Sequence, residues 1–440
     1  MTPPSATDFS KYETILERVN PIRQNGTVSQ VIGLIVESHG PTASIGDICY
    51  IHSRDGTNHV AEVVGFKKGK TLLMPLKELY GIAPGNQVST FCEPFSVGVG
   101  DELIGRVLDG LGNPIDGLGQ LKLREKRSVY AKPPNPLTRQ RITQPLELGV
   151  RSIDALLTCG KGQRTGIFAG SGVGKSVLLG MMARNTTADV NVIALIGERG
   201  REVRDFIESD LGQQGLARSV VVVATSDQAA LTRVKGAQVA TTIAEYFRDQ
   251  GKDVLLMMDS VTRYAMALRE IGLAIGEPPT TKGYTPSVFA NMPKLLERAG
   301  TSHRGSITGL YAVLVEGNDL DEPVADAARS ILDGHIVLNR RLASKGHYPA
   351  VDVLQSISRV MSSVISREHR DEARKIIEVL ATYAEAEDMI NIGAYSAGTN
   401  PRVDHAISKI DAVNRFLRQE IEEKAPFDKI MEQFHRIMGA

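Results

Sequence analysis

A glycine-rich segment ending in Lys175 and Ser176 holds the residues with the clearest capacity for chemistry. Its three glycines let successive backbone N–H groups point at one anion, as a phosphate-binding loop requires. An apolar strand, Thr165–Ala169, precedes the loop and a helical run, Val177–Arg184, follows it, which is the context of a P-loop. Lys175 is then placed to reach the β- and γ-phosphates of a nucleotide, and the Ser176 hydroxyl to bind Mg²⁺. The residues expected to contact the nucleotide here are Ala169, Gly170, Ser171, Gly172, Val173, Gly174, Lys175, Ser176 and Val177.

One position departs from the strict P-loop pattern. The pattern places glycine at the position of Ala169. Alanine is compatible with this position as long as its φ angle stays negative. We therefore expect Gly170 to adopt the awkward backbone dihedral in place of residue 169.

A second apolar strand, Val254–Met258, ends in an acidic residue, Asp259. An aspartate at the end of such a strand is typical of the Walker B position, where it holds Mg²⁺ through water. In many P-loop enzymes a glutamate follows this aspartate, but Ser260 occupies that place here. The carboxylate that activates water must therefore come from another segment.

Glu198 is the best candidate for that carboxylate. It follows the apolar strand Val190–Ile196, so we expect it at the same carboxyl edge of a parallel sheet as the P-loop. A carboxylate at this edge orients and polarises an attacking water. The alternative is a simple salt bridge between Glu198 and Arg199.

Composition narrows the class of protein. Lys plus Arg and Asp plus Glu each number 51 in 440 residues, and the zero net charge disfavours a nucleic-acid-binding protein. The three cysteines, Cys49, Cys92 and Cys159, form no CxxC pair, which fits a reducing cytoplasm without disulfides or a zinc site. No apolar run approaches the ~20 residues of a membrane helix.

The pattern of apolar residues divides the chain into four parts. Short alternating strands, among them 47–51, 59–66 and 71–75, predict a small β-barrel, whereas later continuous apolar strands predict a parallel α/β core. A glycine-rich turn, Gly105–Gly117, lies between them, and helical periodicity follows Arg359. The predicted parts are an N-terminal amphipathic segment (1–25), a β-barrel (26–98), a P-loop domain (99–360) and a helical C-terminal domain (361–440).

Several motifs resemble one family of enzymes over nearly the whole chain. The P-loop, Asp259–Arg263, Tyr348–Asp352 and Ser356–Arg359 resemble the catalytic subunits of rotary F-type and V-type ATPases and their type III export relatives. The stretch Arg199–Arg204 and the P-loop itself resemble the export ATPases, and the P-loop is closer to the flagellar branch. The resemblance implies an α/β, RecA-like P-loop core with a parallel sheet, preceded by a small β-barrel domain and followed by a helical domain.

The resemblance also assigns roles to single residues. Glu198 corresponds to the catalytic carboxylate, and Arg199 and Arg263 to cations on the phosphate side. Tyr348 corresponds to the aromatic residue that stacks on adenine; ordinary interface packing is the alternative. Arg359 corresponds to the arginine finger that enters a neighbour's site, or otherwise forms a structural salt bridge. A finger acting on a neighbour requires a closed ring, which the resemblance implies is a homo-hexamer hydrolysing ATP with Mg²⁺.

The partners implied by the resemblance are those of an export machine. They are a regulator or stator-like protein at an N-terminal helix (residues 10–19), a central stalk protein at the 276–294 loop in the ring channel, and export chaperones with secreted substrates at the C-terminal domain. The protein is expected in the cytoplasm, at the inner face of the inner membrane through the export gate, with no nucleic-acid partner. Four alternatives stay open: a virulence-type secretion ATPase, a rotary ATP synthase subunit, a ring-shaped nucleic-acid translocase and a non-catalytic nucleotide-binding ring.

Overall fold

The computed structural model describes residues 24–315 and 321–439. The described chain forms two compact units, one of residues 24–95 with Leu273–Glu277 and one of the remaining residues. The predicted N-terminal helix (10–19) lies outside the described residues. No helix in the described ranges has both the length and the apolar character needed to cross a membrane.

The first unit contains a closed antiparallel barrel of six strands. The strands are β1 (Gln24–Ile32), β2 (Ile35–His39), β3 (Asp47–His52), β4 (Asn58–Lys67), β5 (Lys70–Pro75) and β6 (Gln87–Pro94). Their order is β1-β2-β5-β4-β3-β6, and β6 pairs back onto β1. Alternate residues such as Val36, Ile51 and Val63 fill the interior, as a period of two along each strand requires. The predicted barrel and its strands are confirmed.

The second unit is built on a mostly parallel sheet. Its strands, with the short ones beside them, are β7 (Ser96–Val99), β8 (Val107–Asp109), β9 (Glu125–Ser128), β10 (Pro145–Leu146), β11 (Cys159–Gly160), β12 (Arg164–Ala169), β13 (Val190–Ile196), β14 (Ser219–Ala224), β15 (Asp253–Asp259), β16 (Gly300–Thr301), β17 (Ser306–Leu314), β18 (Gly334–Leu338) and β19 (Val351–Ser358). The sheet order is β19-β18-β12-β17-β15-β13-β14-β8, with β16 beside β17. Two of its pairings are antiparallel: β16 with β17, and β19 with β18.

Helices cover this sheet and form the C-terminal part of the described chain. They are α1 (Arg151–Leu156), α2 (Lys175–Asn185), α3 (Gly200–Asp205), α4 (Gly212–Leu216), α5 (Ala230–Asp249), α6 (Val261–Ile275), α7 (Pro286–Leu296), α8 (Pro323–Ile331), α9 (Arg340–Ser344), α10 (Met361–Val364), α11 (Arg367–Asn391), α12 (Pro401–Leu417) and α13 (Phe427–Gly439). A π-helical turn, Phe206–Leu211, joins α3 to α4. Buried residues of α11, α12 and α13 belong to one apolar core with those of α1 and α2. The predicted α/β core and helical C-terminal part are confirmed.

Two predicted irregular segments contain regular structure. The Gly105–Gly117 turn includes β8, which pairs in parallel with β14 through Val107 and Val221 at the edge of the sheet. A three-residue strand among glycines lacks the length that makes a periodic signal visible. The Gly276–Lys294 stretch is a loop only as far as Thr285, because Pro286 begins α7 as a favoured first helical residue.

The strand register brings three loops to one edge of the sheet. Ala169 at the end of β12 pairs with Leu314 of β17, and Asp259 at the end of β15 pairs with Leu195 of β13. The carboxyl ends of parallel strands face the same side, so the loops after β12, β13 and β15 meet there. These loops carry the residues that the sequence analysis selected.

Candidate active site

The P-loop follows β12 and leads directly into α2 at Lys175. Gly172 and Gly174 have φ angles of 75° and 88°, in the left-handed region that glycine adopts without strain. Gly170 is not among the residues with positive φ, so the expectation that it carries the awkward dihedral is wrong. Ala169 is fully buried as the last residue of the strand, where an extended backbone accepts alanine. The positive φ angles therefore fall on the two glycines nearest Lys175.

Three charged side chains converge beside the P-loop. The Lys175 ammonium donates a short hydrogen bond to Asp259 Oδ1, and its Nζ lies 3.7 Å from Glu198 Oε1. The side chains of Asp259 and Glu198 are only 4% and 15% exposed. The carboxylates of the buried Asp259 and the half-buried Glu198 therefore share one cation.

Glu198 is the acid of this cluster whose pKa is shifted. Burial first, and then the negative charge of Asp259, raise the pKa of its carboxyl to about 7, while the Lys175 charge opposes the shift. A hydrogen bond with Glu202 acts in the same direction as burial. No described residue forms a hydrogen bond with the buried Oε1 atom. Such a carboxyl, with a pKa of about 7 and an oxygen that accepts no hydrogen bond, suits a group that receives a proton or holds a water.

The oxygen donors expected to hold Mg²⁺ fit that ion. Ser176 is the second residue of α2, and the buried Asp259 ends β15 on the same edge of the sheet. Mg²⁺ prefers hard oxygen ligands and is bound in such enzymes by one or two side chains together with substrate phosphates and water.

Tyr348 lies against the P-loop. A Cβ atom placed on Gly174 would lie 3.6 Å from Cδ1 and Cε1 of the Tyr348 ring, so the ring edge packs over this glycine. The side chain is nevertheless 47% exposed. An aromatic face that is half open to solvent beside a phosphate-binding loop is suited to stacking on a base. Gly174 and Tyr348 are far apart in the sequence. Tyr348 lies in the connection between β18 and β19, and the pairing of β18 with β12 brings this connection close to the P-loop.

The three arginines assigned by resemblance occupy different places. The Arg263 side chain packs across Gly197, directly before Glu198, so it lies beside the site. Arg199 is 81% exposed and pairs with Glu202, at 3.7 Å, rather than with Glu198. The salt bridge between Glu198 and Arg199, which was the alternative explanation for this loop, is therefore not formed. Arg199 extends into solvent at the mouth of the site.

Arg359 lies at the opposite end of the sheet from the P-loop of its own chain. It follows β19, whose last residue, Ser358, pairs with Gly334 at the start of β18. The P-loop follows Ala169, which pairs with Leu338 at the end of β18. Four residues of strand separate the two positions, about 13 Å at the usual rise. The exposed Arg359 is thus placed away from its own nucleotide site.

Arg340 is a site residue that the sequence analysis missed. Its Nη2 atom donates a 2.9 Å hydrogen bond to the carbonyl oxygen of Ser171, within the P-loop. Arg340 begins α9, directly after β18, and only the pairing of β18 with β12 brings it to the loop. No local signal separates this arginine from Arg341 beside it. Val173 of the P-loop is buried.

Comparison with known proteins agrees with this geometry. Residues 149–358 match the nucleotide-binding domain of the ATP synthase alpha/beta family, residues 28–90 its beta-barrel domain, and residues 365–436 the T3SS EscN ATPase C-terminal domain. The flagellum-specific ATP synthase of Bacillus subtilis is 55% identical over 96% of this chain and 97% of its own. The type 3 secretion system ATPase of Xanthomonas euvesicatoria is 50% identical over 96% of both chains.

The chain belongs to the flagellar and type III secretion ATPases. Among solved structures, the assembled ATPase EscN of enteropathogenic Escherichia coli in complex with its central stalk EscO superposes with a TM-score of 0.87. That match has 47% sequence identity and covers 94% of this chain and 99% of EscN. The chain is therefore an ATP-hydrolysing P-loop enzyme of this family, with the family's barrel, nucleotide-binding and helical parts in the expected order.

Proposed function

We propose that this chain hydrolyses ATP as a subunit of a homo-hexameric ring and drives protein export through a flagellar type III apparatus. The observation that carries the catalytic part is the cluster of Lys175, Asp259 and Glu198 beside the P-loop. It places a phosphate-binding cation next to a carboxyl of raised pKa. The membership of the chain in the export ATPase family supports the choice of machine.

Each residue of the site has a separate role in ATP hydrolysis. The P-loop backbone and Lys175 bind the β- and γ-phosphates, and the Tyr348 ring holds the adenine. Glu198 orients the attacking water and accepts its proton as the water oxygen bonds to the γ-phosphorus and the bond to the leaving ADP oxygen breaks. Ser176 and Asp259 would hold Mg²⁺, which neutralises phosphate charge when bound.

The remaining cations stabilise the same phosphate charge from the rim of the site. Arg263, packed across Gly197, and Arg199, exposed beside Glu198, are the cations that stabilise the γ-phosphate charge in this proposal. Arg359 acts on the site of the adjacent subunit, because it lies at the far end of its own sheet. Such an arginine stabilises the transferring phosphoryl group and contributes about 10³–10⁵ in rate in related systems.

We expect the ring to bind three kinds of partner. The assembly of EscN with its central stalk EscO supports a stalk protein in the channel here, contacted by the loop before α7. The helices α11–α13 are the surface for export chaperones and secreted substrates, and the segment before residue 24 is the place for a stator-like regulator. The protein works in the cytoplasm and associates with the inner membrane through the export gate.

The ATPase itself is tested by phosphate release from ATP in the presence of Mg²⁺. We expect Lys175→Ala to abolish turnover and to weaken nucleotide binding, because it removes the cation that binds the phosphates. Exposed Lys345, which pairs with Glu387, is a matched control, and Lys345→Ala should retain activity. Equal turnover by the Lys175→Ala protein would refute the assignment of the site.

The machine is tested by affinity capture of the protein from its native cells, with co-purifying proteins identified by mass spectrometry. Flagellar export components and flagellin-type chaperones are expected. A virulence secretion system is the second candidate, favoured by the 50% identity to a type 3 secretion system ATPase. Capture of injectisome components in place of flagellar ones would select that candidate and leave the chemistry unchanged.

A further inference from the structure

The loop between α12 and α13 is fastened to the nucleotide-binding core by the side chain of Gln419. Its Oε1 atom accepts a 2.8 Å hydrogen bond from the backbone N–H of Arg151. Its Nε2 atom donates to the carbonyl oxygens of Gly149, at 2.9 Å, and Glu423, at 3.0 Å. The side chain thus uses three of the four hydrogen bonds that a primary amide can form. Gln419 is 5% exposed and its bonds to Arg151 and Gly149 are buried, so the loss of either bond removes a partner from a shielded backbone group.

Two arginines of the core hold the same loop. Arg151 forms a bidentate pair with Glu423, at 2.5 and 3.1 Å, and donates to the carbonyl oxygen of Arg418. Arg184, near the end of the P-loop helix α2, donates a 2.9 Å bond to the carbonyl oxygen of Ile421. Residues 418–423, which we term the clasp loop, are therefore fixed relative to α1 and α2. Planar, charged donors of this kind restrict the position of a loop more than single neutral bonds do.

The clasp loop is joined directly to the residue that faces the base. The backbone N–H of Gln419 donates a 2.9 Å hydrogen bond to the carbonyl oxygen of Tyr348. On its other side, the Tyr348 ring packs over Gly174 of the P-loop. Tyr348 thus lies between two anchors, one in the phosphate-binding loop and one in the clasp loop. Because its ring is half exposed, neighbouring side chains do not fix its position by burial alone.

We infer that Gln419 is a positioning residue for the adenine base. Its side chain holds the clasp loop at a fixed distance from the core, and its backbone N–H transmits that distance to Tyr348. The gap between the Tyr348 ring and the rest of the site then depends on Gln419, although Gln419 does not touch the phosphates. This inference rests on the proposed adenine-stacking role of Tyr348.

The test compares a ligand that carries the base with one that lacks it. Binding of ADP and of inorganic pyrophosphate is measured by calorimetry on the full chain and on its variants. Gln419→Glu keeps the size of the side chain and its acceptor but turns the donor toward Gly149 and Glu423 into a second oxygen. We expect its Kd for ADP to rise roughly fivefold or more, because the clasp loop loses both hydrogen bonds donated by the Nε2 atom. The Kd for pyrophosphate should stay unchanged.

A double-mutant cycle with Tyr348→Ala tests whether Gln419 affects ADP binding through Tyr348. If Gln419 acts through Tyr348, then Gln419→Glu should not weaken ADP binding further in the Tyr348→Ala background. Gln419→Met, which loses all three side-chain bonds at similar length, should reproduce the selective loss for ADP. Glu420→Gln, at the exposed neighbouring position, is the matched control and should bind both ligands normally. Thermal unfolding of each variant confirms that the proteins compared are folded.

The possible results separate this inference from the proposal beneath it. Weakened ADP binding in Tyr348→Ala but not in Gln419→Glu would overturn the role of Gln419 and leave the proposed site intact. An equal loss for ADP and pyrophosphate in Gln419→Glu would also overturn it, because general damage to the site affects both ligands. Unchanged ADP binding in Tyr348→Ala would remove the adenine role itself, and the inference with it.

Discussion

Lys175 and Glu198 lie 3.7 Å apart, Nζ to Oε1, while the same ammonium also bonds Asp259. A bound triphosphate competes for this ammonium, because its β- and γ-oxygens lie where the P-loop directs them. We therefore expect nucleotide binding to draw Lys175 away from the two carboxylates and to leave Glu198 to a water.

Glu198→Gln should separate binding from chemistry. The amide keeps the shape of the side chain but cannot accept a proton, so we expect kcat to fall roughly 10²–10⁴-fold. The Kd for ATP should stay within a few-fold of the original, because the P-loop and Lys175 are untouched. Steady-state phosphate release measures kcat, and equilibrium nucleotide binding measures the Kd for ATP. A variant with normal kcat would show that another group activates the water.

The rate of hydrolysis should follow the ionisation of Glu198. Only the deprotonated carboxylate accepts a proton, and burial raises its pKa to about 7. The value of kcat/KM should therefore be low at pH 6, rise through pH 7 and level off above it. Glu202→Ala removes a neighbour that raises this pKa, so its midpoint should move to lower pH. An identical profile in the Glu202→Ala protein would mean that a different group controls the rate.

The specific activity of the unmodified protein should rise with protein concentration, because each site is completed by the arginine of a neighbour and isolated subunits are nearly inactive. Arg359→Ala should abolish this rise. Mixing provides the sharper measurement. Arg359→Ala and Glu198→Gln subunits are each inactive, yet a mixed ring contains sites with Glu198 from one and Arg359 from the other. Recovery of activity on mixing is expected, and its absence would place Arg359 outside catalysis.

Arg340→Ala should weaken ATP binding modestly. The 2.9 Å bond from Arg340 to the carbonyl oxygen of Ser171 fixes the P-loop, but the side chain is exposed and water replaces part of the bond. We expect KM for ATP to rise roughly two- to fivefold with kcat nearly unchanged, which corresponds to the net value of one hydrogen bond. Arg341→Ala, at the adjacent exposed position, is the control. Equal effects of the two substitutions would assign the change to surface charge.

Arg298→Ala should destabilise the second unit strongly. Arg298 forms a bidentate pair with Glu245, at 2.6 and 2.9 Å, and both side chains are almost fully buried. Removing one partner leaves a shielded charge without its counter-ion, at a cost of about 3–5 kcal/mol in the free energy of unfolding. Denaturant unfolding measures the loss. The double variant Arg298→Met, Glu245→Leu should recover most of it, since neither charge then remains buried.

Local sequence was sufficient for the parts of the site that lie on one segment. The P-loop was predicted because strand, glycines, Lys175 and helix are consecutive, and Asp259 because it ends an apolar strand. Glu198 was placed at the same edge because parallel strands share the direction of their carboxyl ends. The structure confirms that these three side chains meet. Their roles in catalysis stay predictions for the experiments above.

The parts that depend on distant segments were not accessible in this way. The contact of Arg340 with Ser171 exists because β18 pairs with β12, and the bonds of Gln419 exist because α12 ends beside α1. Neither pairing leaves a periodic or compositional mark near the residue concerned. The dihedral expected at Gly170 appears at Gly172 and Gly174, because the course of the loop depends on its packing as well as its composition.

The sequence by itself determined the P-loop, the acids that follow two apolar strands and the order of barrel, α/β core and helices. It did so because strand, helix and turn preferences act over a few residues, and the direction of parallel strands follows from them. Only the tertiary structure decided that Tyr348 lies over Gly174, that Arg359 lies at the far end of its own sheet and that Gln419 fastens the clasp loop. Those relationships arise from strand pairing and helix packing between residues far apart in the chain, where the free energy depends on the whole arrangement.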